Sequence, residues 1–89
     1  MNKERRKRLE RLIAQLDIIR EEIEEVRDEI FYIQEEEQES YDNMPESIQE
    51  SDKGCTMQEN IDELEEAYQI DLEDSIYEMQ EYLQNIIDR

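Results

Sequence analysis

Eighty-nine residues with one Cys and no His make one small domain at most, and they exclude both an internal disulfide and a Cys/His zinc site, since one thiolate cannot supply zinc's ligands. The formal charge is −18, from 28 acidic and 10 basic residues. No apolar run approaches the roughly 20 residues of a membrane span, so no membrane association is expected. High charge with few aromatics often marks disorder, but the apolar residues are too regularly spaced here for that reading.

The N-terminal stretch is charged with no apolar segment behind it, so no secretory signal is expected. A lone Cys55 suits a reducing compartment, and a cytoplasmic location is the default expectation. Lys3, Arg5, Arg6, Lys7, Arg8 and Arg11 stand against Glu4 and Glu10, which gives residues 1–11 about +4 and leaves about −22 on the rest.

Residues 3–40 carry the clearest helical signal. Leu9, Leu12, Leu16, Ile19, Ile23, Val26, Ile30 and Ile33 alternate three- and four-residue steps, the seam of a left-handed coiled coil. Ile13, Ile18 and Phe31 widen it towards a bundle face. At 1.5 Å per residue the helix would run roughly 55 Å. Its charges oppose its dipole, with bases at the start and Glu35, Glu36, Glu37 and Glu39 at the end; each exposed misplacement costs about 0.3–1 kcal/mol. The basic stretch either pairs with Glu78, Glu81 and Asp88 of the same or a second chain, stands out as an exposed arm, or is a solubilising, frayed terminus.

Residues 41–56 read as a connector. Pro45 suits the start of one short helical turn through Glu46, Ser47, Ile48 and Gln49, and Gly54, the only glycine, is expected as a left-handed stop after it. Thr56-Met57-Gln58-Glu59 has the form of a capping box and predicts a second helix over residues 57–88. Its stripe is Met57, Ile61, Leu64, Tyr68, Leu72, Ile76, Met79, Leu83 and Ile86. Consecutive four-residue steps around Leu72 lengthen the local period. Ala67, Ile70, Tyr77, Tyr82 and Ile87 lie off the stripe.

Helices of similar length predict an all-α, antiparallel helical hairpin (coiled coil). Two helices cannot bury stripes this wide against each other, so a homodimeric four-helix bundle with two-fold symmetry is expected, with a monomeric hairpin awaiting a different partner as the alternative. Leu9, Leu12, Leu16, Ile19, Ile23, Val26, Ile30 and Ile33, with Ile61, Leu64, Tyr68, Leu72, Ile76, Met79, Leu83 and Ile86, are the expected self-association seam.

Catalytic chemistry needs a nucleophile beside a base, or carboxylates in contrasting environments. The absence of His, a single loop Cys and carboxylates that read as a solvated face point to a non-enzyme, with no cofactor and no specific metal site. Asp71, Glu73 and Asp74 lie on a predicted helix, without the glycine-turned loop of an EF-hand. Helix 57–88 carries eleven carboxylates over roughly 48 Å, about one per 4.4 Å. Duplex DNA carries one charge per about 1.7 Å and a single strand one per about 3.4 Å. One helix is too sparse for a duplex, whereas two aligned in a dimer approach it. Solubility alone is the plainer explanation of Glu-rich faces. Residues 3–11 make a weak nucleic-acid signal, having no interleaved aromatics.

The stretch Tyr41-Asp42-Asn43-Met44-Pro45-Glu46-Ser47-Ile48-Gln49-Glu50-Ser51, followed by Gly54 and an acidic heptad helix, resembles small acidic helical-hairpin proteins of bacteria, phages and mobile elements with a connector close to N-x-P-E-S-[LI]-Q-x-S. The resemblance covers about residues 20–87, rests mainly on the connector, and brings no activity with it. A phage or mobile-element origin would favour inhibition of a host defence nuclease, as in anti-CRISPR proteins. The expected function is thus a non-catalytic acidic module that binds and inhibits or adapts a protein partner, with a nucleic-acid-binding host enzyme as one candidate class. The alternative is a structural scaffold or assembly protein. Partner contacts are expected at Tyr41, Met44, Pro45 and Ile48, because a non-repetitive connector carries more specific information than a heptad helix. Glu63, Glu66, Asp74, Glu78 and Glu81 are expected to contribute the acidic face.

Overall fold

A computed structural model describes residues 1–89 as four α-helices with no strands. They are α1 (Lys3–Asp42), α2 (Glu46–Gln49), α3 (Asp52–Gln69) and α4 (Leu72–Asp88). The chain is all-α, as its periodicity predicts. It divides into two compact units, one of Met1–Glu25 with Asp71–Arg89 and one of Val26–Ile70. No helix is long and apolar enough to cross a membrane.

Asn2 starts α1: its Oδ1 accepts from the Arg5 amide at 2.8 Å, satisfying a donor that a helix N-terminus otherwise leaves open. Pro45 ends the run, because its ring disfavours helical geometry in the residue before it. The turn expected after Pro45 is α2, with the Ile48 and Gln49 amides donating to the Pro45 carbonyl at 2.9 and 3.0 Å.

Three features differ from the sequence reading. First, α3 begins at Asp52, not Met57, so the connector is shorter than residues 41–56. Ser51 occupies the N-cap in extended geometry while its hydroxyl donates to the Ile48 carbonyl, and the Cys55 amide donates to the Ser51 carbonyl at 3.0 Å. Thr56 is therefore already inside the helix, and its capping box is not used.

Second, Gly54 is no left-handed stop. It is the third residue of α3, buried, and no residue of the chain has positive φ. A Cβ at Gly54 would lie 2.1 Å from the Gln49 carbonyl oxygen. Glycine is required for the close approach of α2 and α3, not for backbone handedness.

Third, the predicted helix 57–88 is broken at Ile70 and Asp71. Each four-residue step carries an apolar stripe about 40° around a helix, and Leu64, Tyr68, Leu72 and Ile76 make three in succession. The break absorbs that drift: Ile76 is 8% exposed, whereas Leu72, the next stripe position after Tyr68, is 50% exposed. Asp71 caps the restart by accepting from the Asp74 amide at 3.1 Å.

In the first unit α1 pairs antiparallel with α4, and in the second it pairs antiparallel with α3. Half-buried positions of α1 recur at Leu9, Ile13, Leu16, Arg20, Ile23, Arg27, Ile30 and Gln34. Five of the eight predicted seam positions on this helix, Leu9, Leu16, Ile19, Ile23 and Ile30, are half-buried. Leu12, Val26 and Ile33 are 47%, 59% and 43% exposed, and Ile19 is half-buried. The buried apolar side chains are Ile76 in the first unit and Ile61 in the second.

Gly54→Ala is expected to force α2 and α3 apart and to destabilise the chain by about 1–3 kcal/mol, whereas Thr56→Ala leaves stability nearly unchanged. Thermal melts followed by circular dichroism compare the two, and a larger loss from Thr56→Ala would contradict this assignment.

Candidate interaction surface

The chemistry of the surface begins with the polar side chains that α1 turns inward. Arg20, Arg27 and Gln34 fall seven residues apart, so they share one helix face. In the first unit, Arg20 Nη1 donates to Gln80 Oε1 at 3.0 Å, pairs with Asp17 at 3.2 Å, and places its guanidinium 4.1 Å from the centroid of the Tyr77 ring. Gln80 Nε2 in turn donates to Asp17 Oδ1 at 2.8 Å and to the Ile13 carbonyl at 3.0 Å. Gln80 thus ties α4 to both the backbone and the side chains of α1.

In the second unit, Arg27 Nε and Nη2 donate to the Tyr68 carbonyl at 3.2 and 3.0 Å. That carbonyl belongs to the last turn of α3, where helix acceptors lose their intrahelical partners. The same guanidinium lies 4.9 Å from the Tyr68 ring centroid, and Phe31 packs on that ring at 5.5 Å. Gln34 donates to Glu65 at 2.7 Å, and Gln69 donates to the other Glu65 oxygen at 2.7 Å. Two donors on one carboxylate favour its ionised form, so the Glu65 carboxyl is held below its usual value.

Apolarity alone does not single out these residues, because their side chains are polar. A signal was present. Arg20 and Arg27 are the only bases between Ile13 and Ser51, and each follows an apolar heptad position by one residue.

The connector residues expected to meet a partner lie in the second unit. Tyr41 and Met44 are half-buried, while Pro45 and Ile48 are exposed. The Tyr41 carbonyl accepts from Gln49 Nε2 at 2.8 Å and from the Met44 amide at 3.1 Å, which holds the connector in one conformation. Glu63 and Glu66 are exposed on α3 in the same unit. Glu63 edges a shallow groove with Ile33, Glu36, Glu37, Asn60 and Leu64.

Asp74, Glu78 and Glu81 are exposed on α4 in the first unit, at steps of four and three that align them on one helix face. The Asp74 carboxyl is raised above its ordinary value, chiefly by its hydrogen bond with Asp71 and then by that residue's negative charge. Beside these helices, a second groove is lined by Leu12, Gln15, Leu16, Ile19, Met79 and Leu83. No three acidic, Cys or His side chains gather in a form that could hold a metal ion, and the thiol of Cys55 is exposed and free. No protein-family model, curated protein or solved structure matches this chain.

Replacing Arg27 with Ala removes both hydrogen bonds to the Tyr68 carbonyl and the stacking on its ring. The expected loss is about 1.5–3 kcal/mol, read as a lower midpoint in urea. Retention of the wild-type midpoint would show that the α3 terminus does not depend on Arg27.

The two perturbed carboxyls have opposite linkage. Asp74, raised in the fold, contributes stability below its unfolded value and loses it as pH rises through the folded value. Glu65, lowered, contributes above its unfolded value and loses it as pH falls through the folded one. Asp74→Asn should therefore raise the melting temperature at neutral pH and Glu65→Gln should lower it, with both differences shrinking in acid. Melts across pH 3 to 7 test the signs.

Proposed function

We propose that this chain is a non-catalytic, dimeric, acidic interaction module that occupies a basic surface of a partner protein and thereby inhibits or adapts it. The observation that carries this reading is the exposure of Glu63, Glu66, Asp74, Glu78 and Glu81 on α3 and α4. These carboxylates are available as acceptors for Arg and Lys, and a −18 chain attracts a basic partner from a distance. The exposed Pro45 and Ile48, on a connector held by Gln49, supply a non-repetitive element beside the charge. Tyr41 and Met44 are half-buried and support that element more than they present themselves.

A nucleic-acid-binding enzyme is the preferred partner class, because two acidic helices side by side approach the charge density of a duplex. The resemblance of residues 41–51 to small phage and mobile-element proteins extends this to an anti-defence inhibitor acting in the host cytoplasm. A scaffold or assembly protein is the second reading, favoured by the exposed apolar residues Leu12, Val26 and Ile33. It predicts filaments or large oligomers and no inhibition.

The test is capture from a bacterial lysate at low and moderate salt, with wild-type chain and with Glu63, Glu66, Asp74, Glu78 and Glu81 together reversed to Lys. Wild-type protein should retain a basic, nucleic-acid-binding protein in a salt-sensitive way. Reversal should weaken capture at least about tenfold while helicity persists. Equal capture by the reversed chain would end the acidic-face reading.

A further inference from the structure

Four apolar residues of α1, Leu12, Ile19, Val26 and Ile33, recur at intervals of seven on a single helix and so lie along one face of it. Apart from the half-buried Ile19, they are among the exposed large apolar side chains of the chain. Leu12, Val26 and Ile33 are thus large apolar side chains left open to solvent along a helix otherwise lined with charge.

Charge indicates what covers it. Near the start of α1, Leu12 shares a groove with Met1, Leu9 and the guanidinium-bearing Arg5 and Arg8. Near its end, Ile33 shares a groove with Glu36, Glu37 and Glu63. The apolar face is thus flanked by bases at one end of the helix and by acids at the other.

Resting on the dimer reading above, we infer that this face is covered by the same face of a second copy running antiparallel to it. A two-fold axis between residues 22 and 23 sets Leu12 level with Ile33 of the second copy and Ile19 level with its Val26. The same register sets Lys3, Arg6 and Arg8 level with Asp42, Glu39 and Glu37. A parallel arrangement would instead oppose the six bases of residues 3–11 to six identical bases and the Glu35–Glu39 cluster to itself. The antiparallel seam also sets the positive end of each α1 dipole beside the negative end of the other. It explains why α1 carries its charges against its own dipole: they are arranged for the neighbouring helix.

The experiment uses full-length chain with Cys55→Ser, into which Leu12→Cys or Ile33→Cys is introduced separately. Sedimentation establishes the oligomeric state, and a short thiol cross-linker reports proximity. The expected result is a dimer in which neither single variant cross-links to itself, because like positions lie about 30 Å apart along the axis, while an equal mixture of the two cross-links efficiently. Self-cross-linking of Leu12→Cys in a dimer would overturn the antiparallel register while leaving the dimer reading intact. A monomer at micromolar concentration would overturn both. Val26→Glu serves as the control, since Val26 is 59% exposed within one chain. It should keep the helical spectrum yet raise the dimer dissociation constant about thirtyfold or more, and an unchanged constant would place the interface elsewhere.

Discussion

The placement of Arg20, Arg27 and Gln34 at inward positions of α1 governs the rest of this molecule. Each has a long polar side chain that reaches a specific acceptor: Gln80 for Arg20, the Tyr68 carbonyl for Arg27, Glu65 for Gln34. A purely apolar seam would tolerate rotation of α1 by one residue, because neighbouring heptad stripes offer similar area. Polar partners do not tolerate it, since a rotated helix would strand partly buried donors without acceptors. These contacts therefore set the angular orientation of α1, and they leave Leu12, Val26 and Ile33 exposed.

The interior that results is thin. Its buried apolar side chains are Ile61 and Ile76, and much of what holds the helices in each unit is half-buried contact reinforced by charged and amide hydrogen bonds. A chain of 89 residues has little surface to bury by itself, and like-charge repulsion works against the compact state. Within one chain the apolar residues Leu12, Val26 and Ile33 and the carboxylates of Glu63, Glu66, Asp74, Glu78 and Glu81 are all left exposed.

Glu63, Glu66, Asp74, Glu78 and Glu81 could be placed as solvent-facing from periodicity alone, and they are exposed. Met44 could not be separated from Pro45 and Ile48 in that way, because a connector has no period from which to read burial. Tyr41, by contrast, lies in the last turn of α1, seven residues after Gln34, and continues its half-buried face. The inward Gln49 and the tight approach at Gly54 decide which connector residues are covered. Asp71 was legible in principle as an N-cap, since an Asp three residues before another acidic residue is a common helix start. It was masked by apolar residues on both sides that continued a helical spacing.

The sequence by itself determined that the chain is predominantly helical, that α1 is one unbroken helix ending shortly before Pro45, that one turn follows, and that charge is polarised along α1. These are local properties, set by spacing, propensity and the geometry of proline. Tertiary structure decided which of two overlapping stripes on α1 is used within the chain, where the second helix breaks, and why Gly54 is glycine. Stripes one residue apart differ by about 100° around a helix yet have the same three-and-four alternation. The choice between them depends on acceptors such as Gln80 and the Tyr68 carbonyl, 60 and 41 residues from their partners in the chain. Periodicity describes one helix at a time, whereas those hydrogen bonds exist only when two helices meet.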